Sequence, residues 1–166
     1  MHIRTLTAWS TLSRTMVTGL ICLLVWAQHA AASTHEASIE RDHYGVPHIY
    51  GETDADAAFG LAYAQAEDAW PIMEGSLPFF RGTAGLYEGQ EGAQSDYLVK
   101  WLDLWGTLDR DYERVLSPEI RRYVEAFAEG FNAFTRDNPS EVQHPELLPI
   151  TGKDIIADPK SVEAGH

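Results

Sequence analysis

Three histidines, His35, His43 and His48, stand close together near the start of the chain, and imidazole is a common metal ligand. A metal site needs several ligands converging with fixed geometry. His43 falls at a predicted turn and His48 on a predicted strand, and no Asp or Glu is placed to complete a set with them. These residues therefore read as hydrogen-bonding groups of a turn and hairpin. Glu67 and Asp68 are the next pair that could do chemistry. Two close, buried carboxylates can share acid–base work. Neighbours on a helix point about 100° apart, however, and do not face each other. The structural alternative is favoured, in which one carboxylate pairs with an arginine or caps a backbone group, with Arg41 and Arg81 as candidate partners. The aromatic set Trp101, Trp105, Tyr123, Phe127, Phe131 and Phe134 could line an apolar pocket, but at helical spacing it reads first as core. Gly45, Gly60, Gly82 and Gly85 stand in no phosphate-loop pattern. No Ser/His/Asp triad can be argued from spacing, because geometry defines a triad.

The elements that must position these residues begin with two short strands, 37–42 and 46–50, joined at His43-Tyr44-Gly45, where the glycine permits a positive φ. Pro47 lacks an amide donor and marks an edge strand. Thr53 then caps a helix, with Asp56 in the Glu position of a capping box. The alanine-rich run 57–69 favours helix strongly. Pro71 predicts a bend or break near Trp70, with a second helical piece over 72–80 ended by the glycines of Arg81-Gly82-Thr83-Ala84-Gly85. A polar, glycine-rich surface loop is expected over 88–95. One helix is expected over 96–108, with Leu98, Trp101, Leu102 and Trp105 on a single stripe. Ser117 and Pro118 open the clearest helix, carrying Ile120, Tyr123, Val124, Phe127, Phe131 and Phe134 on one face and stopped by Asn138-Pro139. Residues 144–149 read as irregular, and Thr151 caps a last helix.

The N-terminus reads as an export signal over residues 1–32. Arg4 and Arg14 precede an apolar run from Met16 to Ala27, and Ala30-Ala31-Ala32 offers a cleavage site before Ser33. The run is short for a membrane span of about 20 residues, so no stable span is expected after cleavage. Cys22, the only cysteine, lies in that run, which leaves the remainder without a thiol nucleophile or an internal disulfide. All 25 acidic residues follow Ser33, whereas two of the 12 basic ones precede it. So acidic a surface repels phosphate backbones and argues against nucleic-acid and anionic-lipid partners.

Two strands cannot make an independent sheet, and nothing later in the chain reads as a third. The strand–turn–strand segment Arg41-Asp42-x-Tyr44-Gly45-Val46-Pro47-His48-Ile49 is followed by Phe59-Gly60-Leu61-x-Tyr63-Ala64-x-Ala66-Glu67-Asp68. Together, behind an export signal, these motifs resemble the start of the α chain of the penicillin acylase family. That family comprises N-terminal-nucleophile hydrolases and includes penicillin amidases and acyl-homoserine lactone acylases. Three weaker landmarks extend the resemblance over 39–157. They are Phe79-Phe80-Arg81-Gly82-Thr83-Ala84, Tyr123-x-x-x-Phe127-Ala128-Glu129-Gly130-Phe131-Asn132, and Leu148-Pro149-Ile150-Thr151-Gly152-Lys153-Asp154-Ile155-Ile156-Ala157.

The resemblance implies an α+β fold: a mostly helical α-chain segment (33–157) whose N-terminal hairpin joins the α-β-β-α sandwich of a β chain. Residues 158–166 are short, polar and unlike the family, which reads as a divergent or truncated tail. The implied activity is hydrolysis of an acyl amide, of penicillin or N-acyl-homoserine lactone type, by an exported precursor acting in the periplasm or outside the cell. The nucleophile would be the first serine of the β chain, with its own α-amino group as base, and that chain's amides and an Asn would hold the oxyanion. No residue of 1–166 is thereby assigned as catalytic, cofactor-binding or metal-ligating. The β chain is the implied partner, and calcium belongs to the full enzyme in some members. The competing expectation is a non-catalytic secreted helical module or a decayed acylase fragment.

Overall fold

A computed structural model of the chain describes residues 35–158. The expected signal segment, its cleavage site and the tail beyond Asp158 lie outside the described residues. Strands β1 (Ala37–Arg41) and β2 (Pro47–Gly51) pair antiparallel, with Ile39 opposite Ile49 and Arg41 opposite Pro47. Gly45 supplies the positive φ of the turn, at 84°. Alternation places Ala37, Ile39, Pro47 and Ile49 on the half-buried face and Ser38, Glu40, His48 and Tyr50 outward.

The inner face rests on helix α1 (Asp54–Arg81) at Gly60, where a Cβ would stand 2.6 Å from that of Ala37. Thr53 and Asp56 form the expected reciprocal capping box. The helix departs from helical geometry at Ala69 (φ −149°), two residues before Pro71, and continues as one element. Pro71 lacks a donor and crowds the preceding turn, which puts the break where the sequence places it. Gly82, in the left-handed region, ends the helix.

The middle of the chain differs from expectation. Gly85 does not end a helix; it opens α2 (Gly85–Glu88). The polar stretch expected as a loop is largely helix α3 (Gln90–Trp101). Gly92 lies so close to the Ala84 backbone that a Cβ would collide with it, so this glycine serves packing rather than a turn. The single helix expected over 96–108 breaks at Leu102–Asp103, where Asp103 takes φ 50°, and resumes as α4 (Leu104–Val115). The break splits the expected stripe. Trp101 is 69% exposed, and Leu98 and Leu102 are exposed too. Trp105 is half-buried and donates from Nε1 to the Phe80 carbonyl at 2.8 Å.

Helix α5 (Pro118–Asp137) starts at Ser117, whose Oγ accepts from the Ile120 amide. Its apolar face meets α1. Ala58, Ala62, Ala66 and Trp70 pack with Val124, Phe127, Phe131 and Phe134. Alanines on one side and aromatics on the other fill this seam by complementary size. Gly130 permits the closest approach, since a Cβ there would run into the Phe59 carbonyl. A 3-10 turn (Pro145–Leu147) and helix α6 (Gly152–Ala157), with its own Thr151–Asp154 capping box, close the described chain. No helix among the described residues is long and apolar enough to cross a membrane.

Candidate functional site

The hairpin motif resolves into a turn and a clamp. Asp42 Oδ1 accepts from the Tyr44 and Val46 amides at 2.9 and 3.0 Å, fixing the turn. These backbone bonds, the Val46 one foremost, hold the Asp42 carboxyl below the usual range. Arg41, at the end of β1, turns the other way. Nη1 donates to the Gly45 carbonyl (3.0 Å) and to Asp68 (3.2 Å); Nη2 donates to Glu67 (3.0 Å) and the Ala64 carbonyl (3.4 Å). Both adjacent carboxylates thus meet one guanidinium. Glu67 and Asp68 share this cation because it straddles the helix edge, although their side chains leave the helix in different directions. Their hydrogen bonds raise the Arg41 pKa.

Arg81 does not join them. It lies across α6, where Nε and Nη2 fork onto the two oxygens of Asp154 at 2.7 and 3.0 Å, and Nη1 donates to the Leu147 carbonyl at 2.7 Å. Burial disfavours charge on Asp154, but the bonds from Arg81 and Thr151 outweigh it, and its pKa is lowered. Beside this pair, the buried Asn132 side chain donates to the Ile150 carbonyl and accepts from the Ile150 amide, both at 2.8 Å. The three weaker landmarks of the sequence therefore meet at one place: Arg81 from the first, Asn132 from the second, and Leu148 to Asp154 from the third.

The histidines do not converge in such a way. His35 Nδ1 lies 3.1 Å from Asp56, His48 Nε2 lies 3.7 Å from Asp42, and the His43 ring stacks on Tyr44. Among the described residues, no group of three His, Cys, Asp or Glu side chains could hold a metal ion. Phe127, Phe131 and Phe134 belong to the core, Tyr123 packs against it, and Trp101 lies outside it.

Three engaged acids escaped the sequence reading. Glu74, 3% exposed on α1, accepts from the Gln143 and His144 amides. Asp96 accepts from the Ala84 and Gly85 amides. Asp158 accepts from Ser76 at 2.9 Å. A charged residue on a buried helix face, such as Glu74 between Trp70 and Leu77, is the signal that could have found the first. These arrangements hold a frame: each carboxylate is occupied by a structural donor.

The comparisons agree with the geometry. The penicillin amidase family model matches residues 36–159. The chain is 31% identical over 128 residues to the penicillin acylase 2 proenzyme of Pseudomonas sp. (strain SE83), covering 77% of this chain and 16% of that protein. It is 31% identical over 146 residues to the acyl-homoserine lactone acylase PvdQ of Pseudomonas savastanoi pv. phaseolicola (strain 1448A / Race 6), covering 80% and 18% respectively. Among solved structures, a thermostable penicillin G acylase from Alcaligenes faecalis superposes with a TM-score of 0.62 at 24% identity, over 75% of this chain and 70% of that one, a likeness of fold. The chain spans less than a fifth of the length of these curated relatives. With its hairpin, its paired clamps and a family match over most of its length, the chain belongs to the penicillin amidase family.

Proposed function

We propose that the chain is the N-terminal, α-chain part of an exported acylase that hydrolyses the amide of a small acyl substrate, of penicillin or N-acyl-homoserine lactone type. The observation that carries this reading is the family match over residues 36–159, in a chain that spans only 16% and 18% of its acylase relatives. Chemistry would then reside on further polypeptide. The nucleophile is a serine at the start of a β chain, its freed amino group is the base, and the two chains derive from one precursor. One relative is itself named a proenzyme. The solved chain is 70% covered where the curated proteins are under a fifth covered, which fits a short chain cut from a long one.

The surface supports a partner. The hairpin is the whole sheet among the described residues, so its outer edges lack neighbours, and such edges recruit strands. On α3 the side chains of Tyr97, Leu98 and Trp101 are exposed, with Leu102 just beyond. A patch of this kind marks an interaction face. In this reading the present residues set the frame on which the β chain folds, and the Arg41 clamp presents the hairpin to its sheet. Export follows from the sequence of residues 1–32.

Reading the coding sequence beyond the codon for His166, in all three frames, tests the proposal. It expects an open frame leading to a Gly-Ser junction and a long β chain. A stop with no such frame nearby would overturn it.

A further inference from the structure

The ladder of the hairpin makes its two edges unequal. Antiparallel pairs alternate between those that exchange backbone bonds and those whose N–H and C=O groups point away from the partner strand. Asp42 donates its amide to the Val46 carbonyl at 3.1 Å. With Arg41 opposite Pro47, Ile39 opposite Ile49 and Ala37 opposite Gly51, this bond sets the phase. Ser38, Glu40, His48 and Tyr50 bond across the hairpin. The backbone groups of Ala37, Ile39, Arg41, Pro47, Ile49 and Gly51 point off its edges. The β1 edge therefore presents an N–H at every alternate residue, Ala37, Ile39 and Arg41. The β2 edge has a gap, because Pro47 carries no amide hydrogen. At its far end Gly51 lies against the start of α1, where a Cβ would collide with the Ala57 nitrogen. Among the described residues, no hydrogen bond beyond the hairpin engages the main chain of Ala37, Ile39 or Arg41.

Side chains along β1 state what a strand beside it must carry. Ala37 and Ile39 face α1, while Ser38 and Glu40 face away, with Glu40 opposite His48 on its other side. A strand laid along β1 continues this alternation. It places apolar residues beside Ala37 and Ile39, and a basic or hydroxyl residue beside Glu40, where a second carboxylate would be repelled.

We infer that the β1 edge, and not the β2 edge, receives a strand of the further polypeptide, apolar toward α1 and basic or hydroxyl-bearing beside Glu40. This rests on the acylase reading, which supplies that polypeptide: the chain spans 16% and 18% of two curated relatives. Main-chain bonds give such an addition its affinity, and the alternate side chains give it selectivity.

The test is hydrogen exchange of the full-length gene product, resolved to single amides by fragmentation in the mass spectrometer. Ser38 and Glu40, bonded within the hairpin, are the internal reference. Ile39 and Arg41 should exchange as slowly as these, and about a hundredfold more slowly than Ile49. I39P and I49P each remove one off-edge donor, leave the ladder whole and disturb the same cross-strand pair. I39P should lower the yield of assembled product about tenfold relative to I49P. Should both variants fail to fold, exchange in the wild-type product decides alone. Fast exchange at Ile39 and Arg41 would overturn the assignment, and cleavage of that product into two chains tells whether the acylase reading falls with it. Slow exchange there in an uncleaved product without acylase activity would support the strand while removing the acylase reading. Protection of Ile49 instead would overturn the assignment in favour of the β2 edge. Protection at Ile39 that disappears as a dimeric product is diluted would overturn it in favour of a second copy.

Discussion

Arg81 and Asp154, 73 residues apart in sequence, meet through two parallel hydrogen bonds of 2.7 and 3.0 Å, with the carboxylate 4% exposed. The fork ties the end of α1 to the start of α6 and encloses the Leu147–Pro149 segment, whose carbonyls it also holds. Removing one partner leaves a buried charge without compensation. R81A should therefore cost about 3 kcal/mol, read as a fall in Tm. R81K should recover only part of that loss, because an ammonium cannot form the fork.

The same pair fixes an acid dependence. The folded Asp154 pKa is lowered, so the stability it contributes is complete above the ordinary Asp value of about 3.9. That contribution is lost as pH falls through the lower folded value. Thermal melts from pH 6 down to 2 should show wild type losing stability on this limb. D154N should start less stable and lose less over the same range. Parallel limbs would show that the carboxylate is not held in its charged form.

Glycine substitutions separate close packing from mere helix propensity. G130A places a methyl against the Phe59 carbonyl and Ala62, and should cost about 1–3 kcal/mol by forcing α1 and α5 apart. Gly75 is exposed within α1, and nothing lies within 4 Å of its would-be Cβ. G75A should therefore stabilise by about 0.5–1 kcal/mol. Urea denaturation of the two variants should move their midpoints in opposite directions.

Arg41 anchors the hairpin from outside. In R41A, amides of β1 and β2 should lose hydrogen-exchange protection while those of α1 and α5 keep theirs, since the core seam does not include Arg41. High salt should produce a weaker form of the same change. Uniform loss across the chain would place Arg41 in the global fold instead.

Trp101 makes the opposite case. At 69% exposure it contributes little to the fold of this chain, so W101S should leave Tm unchanged and raise solubility. A fall of several degrees would assign it a packing role.

What could be read in the sequence was local. The box at Thr53 and the caps at Thr151 and Ser117 depend on groups three residues apart, and all three stand as expected, Thr151 with a full box besides. The Pro71 kink and the Gly45 turn follow from single-residue backbone limits. The aromatic face of α5 obeyed its period. The misread elements turned on non-local packing. Gly92 looked like loop chemistry but is a contact with Ala84, and the break at Asp103 interrupts an unbroken apolar period. Gly106, whose Cβ would meet the Asp103 carboxylate, was the one local hint. Arg81 offered two plausible acidic neighbours by sequence, and the third, Asp154, became visible only through the fold. The motif residues Arg41, Glu67 and Asp68 were legible as a set, but their sharing of one cation depends on where the hairpin lies on α1.

The central claim is that this chain works as the α-chain part of an acylase. The direct measurement is acid release from phenylacetyl amide and N-acyl-homoserine lactone substrates. It compares the full-length gene product with residues 33–166 alone, using mass spectrometry of the products. The account expects the full product to be cut into two chains and to hydrolyse an acyl amide, with residues 33–166 silent on their own. An intact, correctly folded full product that releases no acid from any acyl amide tested would contradict it, as would hydrolysis by residues 33–166 alone.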